Sequence, residues 1–352
     1  MLVFNELIAQ AVNLHASDIH FTVGIPPTVR IDGELHHLGD IRCTPAEIEE
    51  MALSIMGEHH KETLKNNGEV DFAYSIPGEG RYRINVFRQR GTLAVAVRIL
   101  NLNIPSPEEL GLPKALVNMC QKKRGLVLVT GPTGAGKSTT LASLIDVINQ
   151  TSKQHIITLE DPIEYLHRHN KSIVNQREMG SDSKNYANAL RAALREDPDV
   201  LLVGEMRDLE TISTAITAAE TGHLVFGTLH TKGAVNTIDR IIDVFPADQQ
   251  EQIRTQLADV IECAIGQALV PKVGGGRCAA FEIMVVNSAI RSLIRQKKTF
   301  QIVGTMQTNK RIGMQLLDDA LMDLVRSGTI SRHDAAAAAN DPSSFQLGAT
   351  LR

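Results

Sequence analysis

Eight consecutive residues, Gly131-Pro132-Thr133-Gly134-Ala135-Gly136-Lys137-Ser138, have the types and spacing of a phosphate-binding loop. Glycines let successive backbone N–H groups turn inward around phosphate oxygens. The helix that follows such a loop adds the positive end of its dipole. Lys137 is placed to reach the β- and γ-phosphates of ATP, Ser138 to ligate Mg²⁺, and Thr139 to follow them at the nucleotide. The setting fits. Residues 126–129 (LVLV) read as a buried strand before the loop, and residues 138–149 as a helix behind it. A chance glycine-rich turn would not need both flanks.

Hydrolysis also needs a metal ligand, a positioned water and cationic stabilisation of the phosphoryl group. The apolar run 200–203 (VLLV) ends in Gly204-Glu205. This is a Walker B arrangement with Glu205 where many NTPases carry Asp, so Glu205 is expected to hold Mg²⁺, directly or through water. Its competing reading is a cap for the helix that starts near Asp208. A second run, 156–159 (IITL), ends in Glu160-Asp161-Pro162-Ile163-Glu164. Three carboxylates so close are costly unless a cation or a reacting water is nearby. One of them is the expected general base, Glu164 first and Glu160 second; the competing reading is a solvated loop. His223 and His230 flank the run 224–229, where a histidine can sense or donate to the γ-phosphate. A satisfied structural histidine is the equal alternative. Arg81 and Arg83 share one face of an alternating run, and Arg98 follows on the next. An arginine can complete a phosphate site; a solvated strand face is the alternative.

These residues need a scaffold. Short apolar runs recur at 126–129, 156–159, 200–203 and 224–226, as in strands buried on both faces of a parallel sheet. Helical stretches at 186–195 and 210–221 lie between them, which predicts a doubly wound α/β domain. From 247 onward the chain reads as mostly helical. Before the loop the texture is mixed. Residues 4–14 read as a helix; 18–23, 81–87 and 92–100 read as strands; 28–31 enters a turn at Asp32-Gly33. That predicts a small α+β domain at 1–101. Pro105, Pro107, Gly111 and Pro113 mark a linker at 102–113. An ATPase domain at 114–340 and a mobile tail at 341–352 complete the expected organisation.

A chain of 352 residues is long for one core, which agrees with two domains. The net charge of −4 argues against a dedicated nucleic-acid binder but not against a local basic channel. Cys43, Cys120, Cys263 and Cys278 form no CxxC pair, so they read as small buried residues in a reducing compartment. The first 18 residues contain Glu6 and lack a long apolar core, unlike a signal peptide. No run approaches the ~18 apolar residues of a membrane span. A cytoplasmic protein without a transmembrane segment is expected, reaching any membrane only through partners.

Taken together, the four blocks resemble the ATPases of the type II/IV secretion and type IV pilus superfamily. They match its Walker A, an Asp box at 158–165, the Walker B and a His box at 217–230, in order and spacing. Within it the chain is most similar to the pilus-retraction, twitching-motility branch, through 16–20 (ASDIH), 191–199 (RAALREDPD), 204–211 (GEMRDLET) and 218–231 (AAETGHLVFGTLHT). Residues 289–296 (AIRSLIRQ) resemble the branch's retraction motif AIRNLIRE. They keep Ala289, Ile290, Arg291, Leu293, Ile294 and Arg295 and depart at Ser292 and Gln296. Here Arg291 and Arg295 are expected to be exposed i,i+4 neighbours, while the apolar residues either serve retraction or pack in the core. The absence of a tetracysteine module and of a longer N-terminal region sets the chain apart from assembly-type relatives.

The resemblance implies a PAS-like N-terminal domain, a RecA-like P-loop domain and a homo-hexameric ring working with an inner-membrane platform protein. It implies that Arg81, Arg83 and Arg98 approach the nucleotide, that Glu164 is the base, and that His223 and His230 sense nucleotide state. The function it implies is ATP-driven pilus retraction. Two other readings remain: a nucleic-acid-translocating ATPase, disfavoured by the acidic balance, and a nucleotide-gated scaffold, disfavoured by Lys137 and Glu164.

Overall fold

The structure, a computed structural model, describes residues 3–31, 33–76, 80–100 and 103–345. Asp32 of the expected turn, residues 101–102 at the expected boundary and 346–352 of the expected tail lie outside them. The chain divides into two compact units: Met1–Asn103 with Glu164–Leu166, and Ile104–Ile163 with His167–Arg352.

The first unit runs α1 (Phe4–Asn13), β1 (Asp18–Phe21), β2 (Thr28–Ile31), β3 (Glu34–His37), α2 (Pro45–Ile55), α3 (Glu58–Asn67), β4 (Glu69–Ile76), β5 (Gly80–Gln89) and β6 (Thr92–Ile99). Its strands form a sheet in the order β3-β2-β1-β6-β5-β4, with every neighbouring pair antiparallel. Alternation decides the faces. Tyr82, Ile84 and Val86 of β5 are buried with Ile8 and Ile48, while Arg81 and Arg83 lie on the opposite face. A capping box between Thr44 and Glu47, with Pro45 in the first turn, starts α2.

The second unit runs α4 (Lys114–Val117), β7 (Gly125–Thr130), α5 (Lys137–Thr151), β8 (His155–Glu160), β9 (Ile173–Glu178), α6 (Tyr186–Ala193), β10 (Val200–Val203), α7 (Leu209–Glu220), β11 (Leu224–Leu229), α8 (Ala234–Asp243), α9 (Gln250–Val260), β12 (Ile261–Pro271), β13 (Arg277–Val285), α10 (Ser288–Arg295), α11 (Ile302–Thr308), α12 (Leu317–Arg326) and α13 (Arg332–Ala338). The sheet order is β13-β12-β7-β11-β10-β8-β9. All neighbours are parallel except β12 and β13. The uniformly apolar runs are buried on both faces as expected. Leu126, Leu128, Leu201 and Val203 join one core, and Val127, Val129, Val200 and Leu202 the other. This α/β layering with a P-loop fits the RecA-like expectation.

Two points correct the sequence reading. Helices dominate from 247 on as expected, but β12 and β13 add two long strands that the sequence does not announce. Ile261 both caps α9 and starts β12, so no turn residues separate helix from strand. The tail expected from 341 is packed as far as Phe345. Pro342–Phe345 forms a 3₁₀ turn, and Phe345 is buried with Leu317, Leu321 and Ile330.

Cys120 and Cys263 are buried, and burial pushes both thiols up to about 12. Since the thiolate is the nucleophile, both are expected to resist iodoacetamide at pH 8 in the native protein and to react after denaturation. Mass mapping of the labelled peptides checks this.

Candidate nucleotide site

The parallel strands deliver the chemistry-bearing residues at their C-terminal ends. The chain leaves β7 into the phosphate loop, where Gly131, Gly134 and Gly136 take φ values of 148°, 78° and 84°. A side chain is also excluded at Gly131 by contact: a Cβ there would stand 2.4 Å from the Gln267 carbonyl oxygen. Gly136 caps α5, and Lys137 opens it. The Lys137 ammonium is buried and donates to the carbonyl oxygens of Gly131 (2.8 Å) and Pro132 (3.0 Å). Ser138 and Thr139 follow on the first turn, Ser138 exposed.

Glu205 stands two residues past the end of β10, and His230 directly after β11. Their strands are neighbours, so the side chains meet: His230 Nε2 lies 3.0 Å from Glu205 Oε1. Arg207 pairs with the same carboxylate oxygen. The Glu205 side chain is 16% exposed. The connection is pinned by the Thr228 hydroxyl, which donates to Gly204 O, and by Met206 N, which donates to Thr228 O at 2.9 Å. Thr133 of the loop, Glu205, Arg207 and His230 line one cavity of 450 Å³. A second cavity, of 620 Å³, adjoins the loop and is lined also by His230, Gln267 and Glu282.

Glu160 ends β8 beside them. Its Oε1 accepts from the Thr158 hydroxyl (2.6 Å) and the Gln176 amide (3.1 Å). Burial, then the charges of Asp161, Glu205 and Glu160, push the Tyr186 phenol up. The segment that follows contains a cis Asp161–Pro162 bond and is tied by Ile163 N, which donates to Glu178 Oε2 at 3.0 Å. Glu164 is exposed and groups with the first unit.

Several expected residues fall elsewhere. His223 precedes β11, at the end of the sheet opposite the phosphate loop. Seven residue steps at ~3.3 Å each put it ~23 Å from His230. Its carbonyl accepts from Gly125 N at 3.0 Å, and its Nδ1 lies 2.9 Å from Ala218 O. It is therefore a satisfied structural histidine in this chain rather than a second γ-phosphate sensor. In the first unit, Arg83 and Arg98 face each other across β5 and β6. Each has an acid beside it: Asp71 at 2.7 Å from Arg83, and Asp18 at 3.1 Å from Arg98. Arg81 donates to the Ser75 hydroxyl at 3.4 Å. Arg207 and Tyr186 were absent from the sequence-based site, although Arg207 lies only two residues beyond Glu205.

The segment 289–296 also differs from expectation. Ile290 and Ile294 are fully buried, and Leu293 packs against the same core. Arg291 is not an exposed neighbour of Arg295. Its side chain is 21% exposed, and its guanidinium donates to Ala258 O (2.5 Å), Asp259 O (2.7 Å) and Glu262 Oε1 (2.7 Å). It thus caps the last carbonyls of α9, while Arg295 pairs with Asp259. Arg291→Ala removes three charge-assisted bonds and leaves Glu262 its pairing with Lys122 at 2.7 Å. An unfolding free energy lower by ~2–3 kcal/mol is expected, measured by urea denaturation.

Residues 1–335 match the family described as type II/IV secretion system protein. The chain belongs to that family. It is 46% identical over 340 residues to the type IV pilus retraction ATPase PilT of Pseudomonas aeruginosa, covering 97% of this chain and 99% of that one. It is 46% identical over 322 residues to a twitching motility protein of Neisseria gonorrhoeae, covering 91% and 86%. Among solved structures, the pilus retraction motor PilT with bound ADP superposes with a TM-score of 0.92 at 54% identity, covering 98% and 99%. The family match spans both units, so membership does not rest on the P-loop alone. Among the described residues no helix is long and apolar enough to cross a membrane.

Proposed function

We propose that this protein is an ATP-hydrolysing motor that powers type IV pilus retraction and thereby twitching motility. The observation that carries the chemistry is the shared cavity of Thr133, Glu205 and His230, with Glu205 and His230 3.0 Å apart beside the phosphate loop. Retraction, rather than another use of ATP, rests on the likeness to PilT along nearly the whole chain.

The backbone N–H groups of 131–136 and the start of α5 bind the polyphosphate. Lys137 exchanges its carbonyl partners for phosphate oxygens. Ser138 and Glu205 offer only hard oxygen donors, and Mg²⁺ needs few of these because it keeps waters and phosphate oxygens. A Mg²⁺ ion held by Ser138 and Glu205 would supply positive charge to the bound polyphosphate. Glu164 accepts the proton of the attacking water, with Glu160 the alternative base. His230 senses the γ-phosphate and passes its state to Glu205 and Arg207. The working form is a cytoplasmic homo-hexamer, peripheral to the inner membrane through a platform protein.

The test is ATP hydrolysis by the purified chain, with and without single-stranded and duplex DNA. Turnover indifferent to DNA is expected. Stimulation by DNA, in a protein whose gene deletion leaves twitching unchanged, would replace this reading with a nucleic-acid motor.

A further inference from the structure

Gln267 on β12 braces the phosphate loop from behind. Its side chain is buried at 5% exposure. Its Oε1 accepts the hydroxyl of Thr140 at 2.9 Å, and Thr140 stands three residues along α5 from Lys137. The rest of the residue meets the loop itself. Its carbonyl oxygen lies 2.4 Å from where a Gly131 Cβ would sit, and its Nε2 lies 3.0 Å from where a Gly136 Cβ would sit. Leu269 Cδ1 is 3.5 Å from the latter position. Alongside, Thr130 Oγ1 donates to Ile265 O at 3.0 Å. Both ends of the glycine loop and the first turn of α5 thus rest on one residue, from a strand that carries none of the nucleotide motifs.

We propose that Gln267 is a positioning residue for nucleotide binding, one that holds the phosphate loop and the start of α5 in phosphate-binding shape through Thr140. The inference rests on the ATPase reading. Glycine-rich backbone is conformationally free, and a binding site that must first be ordered loses affinity in proportion. A buried amide that holds Thr140 of α5 through Oε1 and lies against Gly136 through Nε2 removes that freedom before the nucleotide arrives.

The experiment uses the intact protein and measures ATP affinity by titration together with KM and kcat. It compares wild type, Gln267→Ala, Thr140→Val, Thr140→Ser and the pair Gln267→Ala with Thr140→Val. Gln267→Ala and Thr140→Val are each expected to raise Kd and KM for ATP about tenfold, more than they lower kcat, as for one lost buried hydrogen bond. The double variant should be no worse than either single one, since both break the same bond. Thr140→Ser, which keeps the hydroxyl, should restore affinity. Unchanged Kd in Gln267→Ala with a lower melting temperature, or fully additive effects in the pair, would overturn the proposal. Should Gln267→Ala fail to fold, Thr140→Val against Thr140→Ser decides it on the same criterion. A wild-type chain that binds no ATP would overturn the ATPase reading as well, and is seen before any variant is compared.

Discussion

Lys137→Ala is expected to reduce ATP turnover by roughly 10³-fold or more, the scale of losing a cation at a transferring phosphoryl group. Lys137 is buried, and its ammonium donates to the carbonyl oxygens of Gly131 and Pro132. The loop's three positive-φ glycines keep their backbone form without it. The variant should therefore fold, retain part of its backbone affinity for phosphate, and fail in the chemical step. A steady-state phosphate-release assay measures this. Turnover within tenfold of wild type would mean that the transferring phosphate is neutralised by another cation, and Arg207 beside Glu205 would be the next to test.

Glu164→Gln is expected to bind ATP and lose roughly 10²–10⁴-fold in hydrolysis rate, as for removal of a general base. The comparison that gives this meaning is Glu160→Gln. Glu160 ends β8, oriented by the Thr158 hydroxyl and the Gln176 amide, both on one oxygen. It serves as a fixed acceptor, so its amide variant should disturb the local hydrogen bonds and cost less in rate than Glu164→Gln. Single-turnover hydrolysis with saturating ATP separates the two. A wild-type rate in Glu164→Gln, with the loss found in Glu160→Gln, would move the base to the strand end.

What was legible in the sequence follows from local rules. The phosphate loop combines glycines, a lysine and two flanking elements within one short stretch, so its chemistry is written contiguously. The four central strands show as uniformly apolar runs because both faces are buried, and Glu205 shows because a strand ends just before it. What was missed depends on distance along the chain. β12 follows α9 without a turn residue and contains Gly266 and Gln267, so neither polarity nor punctuation marks it. Yet it supplies the floor of the phosphate loop. His223 and His230 look equivalent as the two ends of one run. Only the direction of the strand separates them, since the loop lies at the C-terminal edge of the sheet. Arg291 read as a surface charge because helical spacing does not reveal that the end of α9 lies against it. Arg207 and Tyr186 carry no motif of their own; their roles come from the carboxylates that the fold gathers around them.

Deleting the gene and restoring it as wild type or as Lys137→Ala tests the central claim most directly, with surface pili counted and twitching measured in the same cells. Deletion cells are expected to remain piliated and not to twitch, with wild type restoring movement and Lys137→Ala failing to. Loss of surface pili on deletion, or full twitching restored by Lys137→Ala, would contradict it.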